Sequence, residues 1–413
     1  MRLVSELELP AFDYTDRSLR GEEFHRALAE LRKGGWLAEG PFGYIALDRG
    51  SAEFFLRTRG AVFPGMKIAE LFGVEEGPLY EEMRRNILHV NGPDHARLRS
   101  LVNPSLSPRA VERYRPAMRG YLEELYARAV AQAEAGVCRC EFVESFAKPY
   151  PSQVIATVMG APVEDAPRLH HWSNWIQRQF DAASMASERP GIERAVEEFY
   201  EYAAALVSAR RSDPREDLIS MLIAAEEEGE QLSDVECVNL VFNVLVGGVD
   251  TTQSQLAHAV RLLAEHPDQW RALAATPALA EAAVEEALRF EPITPFTARI
   301  AVEEVVFRDV VFPEGTIVMV CAFTGNRDLS GEEAGPFGPD RFDIAADRGR
   351  ARPLTFGAGV HYCLGANLAR AELQEALAFL SARMDDLTLD GEPEYGTITG
   401  IYGLETLPIR WRV

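Results

Sequence analysis

The chain has 413 residues, enough for two or three domains at roughly 150 residues each or for one large helical domain. Its 47% apolar and 26% charged residues, with a mean hydropathy of −0.12, exclude a disordered or collagen-like chain. Lys and Arg number 42 against 64 Asp and Glu, and the resulting net charge of −22 is repelled by phosphate backbones and anionic bilayers. No nucleic-acid or membrane partner is expected.

The chain opens MRLVSELELP, with Glu6 and Glu8 where an export signal needs an unbroken apolar run, so a cytoplasmic protein is expected. Helical periodicity predicts helices over Gly21–Lys33, Pro108–Glu134, Ile192–Arg211, Asp234–Glu265, Ala278–Phe290 and Ala366–Met384. Short β-branched runs at Tyr44–Leu47, Arg299–Val302, Val305–Phe307 and Thr316–Val320 predict a small sheet. No repeat, low-complexity tract or linker divides the chain, so the expected fold is mainly α with a small β region, a single domain over residues 1–413. Five cysteines, an odd and sparse set, argue against a disulfide framework. Cys138-x-Cys140 with His170-His171 fits none of the usual zinc-ligand spacings, and Glu226-Glu227-Glu228 reads as an exposed acidic loop.

The predicted helix Asp234–Glu265 opens on a Ser233-x-x-Glu236 capping box and stops before His266-Pro267. Its 32 residues would run about 48 Å at about 1.5 Å each. The stretch Val238–Val249 is apolar on almost every face, as in a helix enclosed by protein, and is too short to span a bilayer. Into that interior the sequence puts Gly247-Gly248 and then Asp250-Thr251-Thr252. Two mid-helix glycines cost about 1 kcal/mol each, and a buried acid costs more unless it is hydrated or paired. The glycines either let a neighbouring helix pack closely or leave room for a flat ligand. Asn243, Gly247, Asp250 and Thr251 fall on one side of the helix, and the Thr251 hydroxyl can bond the Gly247 carbonyl and loosen the ladder.

Before the last predicted helix stands Phe356-Gly357-Ala358-Gly359-Val360-His361-Tyr362-Cys363-Leu364-Gly365. Its glycines permit positive φ and close approach of a ligand to the backbone. A thiol at a helix entrance faces unpaired N–H groups and the positive end of the dipole, which favour thiolate. Cys363 therefore reads as an anionic ligand or a nucleophile.

The pattern F-G-x-G-x-H-x-C-x-G resembles, at every fixed position, the haem-thiolate loop of the cytochrome P-450 family, and the resemblance runs from about Asn91 to the C-terminus. It implies a soluble, bacterial-type member binding haem b (iron protoporphyrin IX) between the central helix and the helix after the cysteine. Cys363 would be the iron ligand, with Phe356, Gly357, Gly247 and Gly248 against the haem. Thr251 would hydrogen-bond the dioxygen co-substrate and Asp250 would relay protons. Glu286-x-x-Arg289 resembles the family's E-x-x-R, and Pro339-Asp340-Arg341-Phe342 its second element, so that Glu286, Arg289 and Arg341 would form a buried network. His95 and Arg99, with Arg299 and His361, match contacts to the two haem propionates.

The implied activity is a monooxygenase that hydroxylates, epoxidises or dealkylates a small to medium, largely apolar substrate in secondary metabolism or catabolism. A radical-coupling oxidase and a non-catalytic haem-thiolate sensor stay open as alternatives. By the same resemblance the substrate would meet Asn243, Val246, Thr294, Pro295, Thr297, Ile401 and Tyr402, with Asn243 offering an amide to a polar group. Electrons would come from a ferredoxin or flavodoxin and its NAD(P)H-dependent reductase, docking on Arg109, Arg113, Arg348, Arg350 and Arg352. The chain is expected to act as a monomer. The segment Leu329–Pro339 is longer and richer in Gly and Glu than the family pattern, and residues before Asn91 match it only loosely.

Overall fold

The structure, a computed structural model, describes residues 1–227, 232–329, 338–349 and 351–413. Arg350, Glu228 of the acidic run and residues 330–337 of the Leu329–Pro339 segment lie outside the described residues. The chain divides into two compact units, each assembled from separate stretches.

The first unit comprises Met1–Pro64, Glu285–Cys363 and Tyr395–Gly403. It is built on a five-stranded sheet in the order Leu37–Gly40, Gly43–Ala46, Ile317–Cys321, Phe296–Ala301, Ala61–Val62. Only the pairing of Gly43–Ala46 with Ile317–Cys321 is parallel. Gly43 closes the first hairpin at φ 141°, and a Cβ there would stand 2.2 Å from the Ile317 carbonyl oxygen, so the close approach of these strands requires glycine. Two apolar clusters cover the sheet. One gathers Phe55, Val310, Phe312, Val318, Val320 and Leu354; the other gathers Phe24, Leu28, Ile45, Phe323 and Tyr402. The helix Gly21–Lys33 feeds the second through Phe24, Leu28 and Leu31, which recur at the helical period. A small sheet orders Arg2–Leu3, Val310–Phe312 and Val305–Phe307.

The second unit comprises Gly65–Val284, Leu364–Glu394 and Leu404–Val413 and is mostly helical. The predicted long helix is present as two, Asp234–Gly248 and Asp250–Glu265, divided at Val249 with φ −89° and ψ −73°. Its capping box is formed, with both Ser233 and Glu236 closing on each other's backbone. By length and composition Asp234–Glu265 could cross a membrane, yet 67% of its most apolar window is buried inside the protein. That burial explains apolar residues on every face.

Gly21–Lys33 matches its predicted bounds, whereas Pro108–Glu134 is divided into Pro108–Glu112 and Arg115–Val130. Pro116 cannot donate to the ladder and disfavours helical backbone at Arg115, which accounts for the break. The antiparallel sheet of Asp385–Leu389, Pro408–Arg412 and Val137–Glu141 is not expected from the sequence, because each of these short, charge-rich strands holds one β-branched residue. Its pairing brings Trp411 opposite Cys138 and buries both.

Two glycines in this unit should respond to alanine in opposite senses. Gly160 ends the helix Pro149–Met159 at φ 86°, and a Cβ there would lie 2.0 Å from Asp217 Oδ2, which pairs with buried Arg210 at 2.5 Å. Gly160→Ala should lower unfolding free energy by about 3 kcal/mol or more through backbone strain and disruption of that ion pair. Gly120, inside Arg115–Val130 with nothing within 4 Å of a Cβ, should gain about 0.5–1 kcal/mol as alanine. Denaturant midpoints of the two variants check both signs.

Candidate functional site

Cys363 lies at the end of a tightly folded loop. Gly357 N–H donates to the Leu354 carbonyl at 2.7 Å, Tyr362 N–H to Gly359 at 3.1 Å, and Cys363 N–H to Phe356 at 2.9 Å. Gly357 and Gly359 adopt φ 68° and 72°, and a Cβ on Gly359 would stand 2.3 Å from the Leu56 carbonyl oxygen. Both glycines are therefore required by backbone geometry. The thiol is half-buried, two residues before Gly365, which caps the helix Ala366–Ser381. His361 and Phe356 flank it in the same loop, with the His361 ring 6.1 Å from Phe63.

The loop is braced from beneath by the helix Ala280–Phe290. Thr355 Oγ1 donates to the Leu288 carbonyl at 2.5 Å, and Leu354 N–H donates to Asn326 Oδ1 at 2.6 Å. Asn326 is fully buried and was not singled out from sequence; a buried amide joining two loops leaves no periodic signal.

On that helix Glu286 and Arg289 form a bidentate pair at 2.7 Å on both oxygens, each 3% exposed. The expected third member is corrected by the structure. Arg341 is exposed and contributes its backbone carbonyl, which accepts from Arg289 at 3.1 Å and from Arg348 at 3.2 Å. The second guanidinium on Glu286 belongs to Arg348, at 2.9 Å and 11% exposed. Two carboxylate oxygens facing inward accommodate the arginine that reaches them seven residues later, after the chain has turned at Asp343, whose N–H also donates to Glu286 at 2.9 Å. Arg348 is thereby removed from the expected docking patch, while Arg109, Arg113 and Arg352 are exposed.

The strand Phe296–Ala301 presents Thr297 and Arg299 on one face, opposite Val320 and Val318 of the neighbouring strand. Arg299 is 3% exposed, and its hydrogen bond goes to the Ala298 carbonyl at 2.8 Å. Burial pushes its guanidinium down to about 10, and no carboxylate faces it among the described residues. A buried cation in that condition requires an anion. A half-buried thiol on a glycine loop and an unpaired buried guanidinium in the same unit are the donor set that a carboxylate-bearing metal macrocycle needs, so these residues fit haem.

Tyr402 is corrected too. It is fully buried, its hydroxyl accepts from Gly21 N–H at 3.0 Å, and its ring packs on Phe24 and Tyr395 at 5.6 and 6.0 Å. A ring this large in a tight C-terminal turn is absorbed by the aromatic cluster. Ile401, Thr294 and Thr297 remain half-buried, and the Pro295 carbonyl accepts from Ala322 N–H at 2.8 Å.

In the second unit the broken helix carries Thr251, whose Oγ1 donates to the Gly247 carbonyl at 2.6 Å. The glycine pair divides between its two readings. A Cβ on Gly248 would stand 2.3 Å from Ile155 Cδ1, so Gly248 serves helix packing, in place of the cofactor contact expected of it. Around Gly247 nothing lies within 4 Å of a Cβ, which suits a flat ligand on that face. Asp250 is buried and accepts hydrogen bonds from Ser173 Oγ and, at 3.3 Å, from Asn174 Nδ2. Burial pushes its carboxyl above the ordinary range, opposed by the Ser173 hydrogen bond and by nearby His170. Val246 is buried and its carbonyl accepts from Gln177 Nε2. Asn243 does not carry a free amide: Oδ1 accepts from Ile87 N–H at 2.9 Å and Nδ2 donates to the Asn239 carbonyl at 2.6 Å. His95 and Arg99 share a face of the helix Gly92–Val102, and burial, then the Arg99 charge, lowers the His95 imidazole.

Burial raises the Glu286 carboxyl, but hydrogen bonds and charges from Arg289 and Arg348 outweigh it and leave the group below the ordinary carboxylate value. A carboxyl depressed in the folded state contributes stability above its unfolded pKa of about 4.3, and that contribution is lost as pH falls through the folded value. Glu286→Gln should therefore flatten the acid limb of the stability profile. Arg348→Ala should cost about 1–3 kcal/mol by removing a charged donor from a carboxylate that Arg289 still pairs, and Arg341→Ala under about 1 kcal/mol. Denaturant unfolding across pH separates the three.

Residues 75–381 match the family model described as Cytochrome P-450. The chain is 33% identical over 405 residues to luteothin monooxygenase of Streptomyces thioluteus, covering 98% of this chain and 96% of that protein. It is 35% identical to the cytochrome P-450 monooxygenase PikC of Streptomyces venezuelae, covering 91% and 89%. Among solved structures, CalO2 superimposes with a TM-score of 0.87 at 30% identity, covering 98% of this chain and 99% of that one. With the thiol loop, the braced E-x-x-R helix and these likenesses together, the chain belongs to the cytochrome P-450 family.

Proposed function

We propose that this haem-thiolate monooxygenase holds its iron through Cys363 and inserts one oxygen atom from dioxygen into a small to medium, largely apolar organic molecule. The glycine-built loop around Cys363 carries the reading. Relatives named for mycinamicin hydroxylation and epoxidation and for polyketide biosynthesis support a natural product of that size and character as substrate. Haem bound through a thiolate supplies dioxygen binding and O–O cleavage, which electron donation from sulfur favours.

The chain's own residues position and protonate. Arg299 and His361, with His95 and Arg99, are proposed to neutralise the two propionates. Gly247 leaves the helix face clear. Thr251 holds its hydroxyl proton toward the Gly247 carbonyl at 2.6 Å, ready to be redirected to the dioxygen co-substrate. Asp250, whose neutral form burial favours, is the group that returns a proton to that hydroxyl. Half-buried Thr294, Thr297 and Ile401, with Val246, are the proposed apolar and hydroxyl contacts for substrate.

A ferredoxin or flavodoxin is the proposed electron donor, with exposed Arg109, Arg113 and Arg352 as candidates for its docking, and the protein is read as a cytoplasmic monomer. One solved relative is described in complex with an acyl carrier protein, so partners differ within the family.

Cys363→Ser should abolish the thiolate-type spectrum of the reduced carbon monoxide complex; an unchanged spectrum would overturn the ligand assignment. Thr251→Ala and Asp250→Asn should each lower product formed per electron consumed by about tenfold or more, consistent with a typical general-acid contribution. Labelled dioxygen should place one labelled atom in the product, and unlabelled product would refute oxygen insertion.

A further inference from the structure

Asn243 stands on the half-helix Asp234–Gly248 one turn before Gly247, on the face that the two residues share. Its amide is spent on the chain itself. Oδ1 accepts from Ile87 N–H at 2.9 Å, and Nδ2 donates to the carbonyl and Oδ1 of Asn239 at 2.6 and 3.1 Å. Asn239 is buried and donates its own Nδ2 to the Tyr200 hydroxyl at 2.6 Å, on the helix Arg189–Ser212. Three neutral side chains thus form one ladder across two helices that ends on a backbone N–H of a turn.

That turn, Asn86–Val90, follows the helix Pro78–Arg85. It is held together from within. Asn86 donates to the buried Glu82 carboxylate and accepts from Leu88 N–H at 2.9 Å, while its carbonyl accepts from His89 and Val90 at 2.9 and 3.0 Å. His89 Nδ1 lies 3.0 Å from the Met83 carbonyl. Past the turn the chain is fixed again, because Arg97 of the helix Gly92–Val102 pairs with Glu236 at the start of the central helix. A turn that is rigid in itself and anchored beyond can move as a unit; its His89 ring meets Phe180 at 6.4 Å between centroids, and the Ile87–Asn243 bond joins it to the helix face next to Gly247. The bond joins neutral groups, whose exchange with water is nearly balanced, so it can be made and broken reversibly.

We infer that Asn243 is a positioning residue, the latch of the Asn86–Val90 turn, and that release of Ile87 N–H from its side chain widens the approach to the Gly247 face for bulky molecules. Asn239 and Tyr200 support the latch by fixing the Asn243 amide in the orientation that turns its oxygen to the turn. The role for ligand passage rests on the proposed haem face; the latch itself does not.

The test uses the full-length protein loaded with haem. In the unaltered protein the Ile87 amide should exchange with deuterium well below the rate of an unstructured chain; exchange at the unstructured rate overturns the latch without any variant. Asn243→Leu, similar in volume but without polar atoms, should speed exchange at Ile87 and Leu88 by about tenfold or more while amides of Leu240–Leu245 stay protected. Tyr200→Phe should produce a smaller increase at the same sites. Unchanged exchange in Asn243→Leu would mean that the side chain does not hold the turn. For passage, Asn243→Leu should raise the association rate of 4-phenylimidazole several-fold and leave that of carbon monoxide within twofold. Equal changes for both ligands, or none, overturn the gating role. Failure of the monooxygenase reading would show instead as unlabelled product under labelled dioxygen, with these exchange rates unaffected.

Discussion

A carboxylate almost sealed from water, Glu286, is acceptable in the interior only because Arg289 and Arg348 meet it from two sides and the Asp343 N–H fills a further lone pair. The first unit depends on that arrangement. Arg289 reaches past Glu286 to the carbonyls of Pro339 and Arg341, so the helix Ala280–Phe290 and the segment after Gly338 are tied at the backbone. The same helix offers the Leu288 carbonyl to Thr355 and thereby sets the height of the loop that ends at Cys363. Charge burial, usually a cost, here becomes a means of placing a thiol.

The central helix uses the opposite economy, a local weakening. Val249 departs from ideal helix geometry, Thr251 takes the Gly247 carbonyl with its side chain, and Asp250 is held by donors on the helix Ala166–Gln177. The two adjacent glycines have unrelated tasks: one accommodates Ile155 and the other clears a surface. A sequence that places both tasks in consecutive positions conceals their difference, since neither leaves a side chain to interpret.

Much of this is legible in the amino-acid sequence. The Cys363 loop could be read because its glycines occupy positions where backbone geometry admits little else, and the capping box at Ser233 because its partners are three residues apart. The hydroxyl-to-carbonyl bond of Thr251 followed from a four-residue spacing. What escaped was set by distant parts of the chain. Arg341 and Arg348 are both arginines close behind the same helix in sequence, and only the turn between them decides which guanidinium enters. Asn243 promised a free amide until the turn carrying Ile87, more than a hundred and fifty positions earlier, was placed against it. Tyr402 was claimed by an aromatic cluster whose members come from both ends of the chain. The strands Val137–Glu141 and Pro408–Arg412 carry too few β-branched residues to announce themselves and exist because each completes the other.

Arg299 carries a further implication. A buried positive group that meets no acid among the described residues gives an anionic prosthetic molecule the role of counter-ion, and a ligand taken up only by the native form adds its binding free energy to folding. Newly made polypeptide is then safest once porphyrin has been acquired, and in a cell short of iron or porphyrin this chain would be more open to proteolysis. Abundance, and not merely activity, becomes tied to cofactor supply.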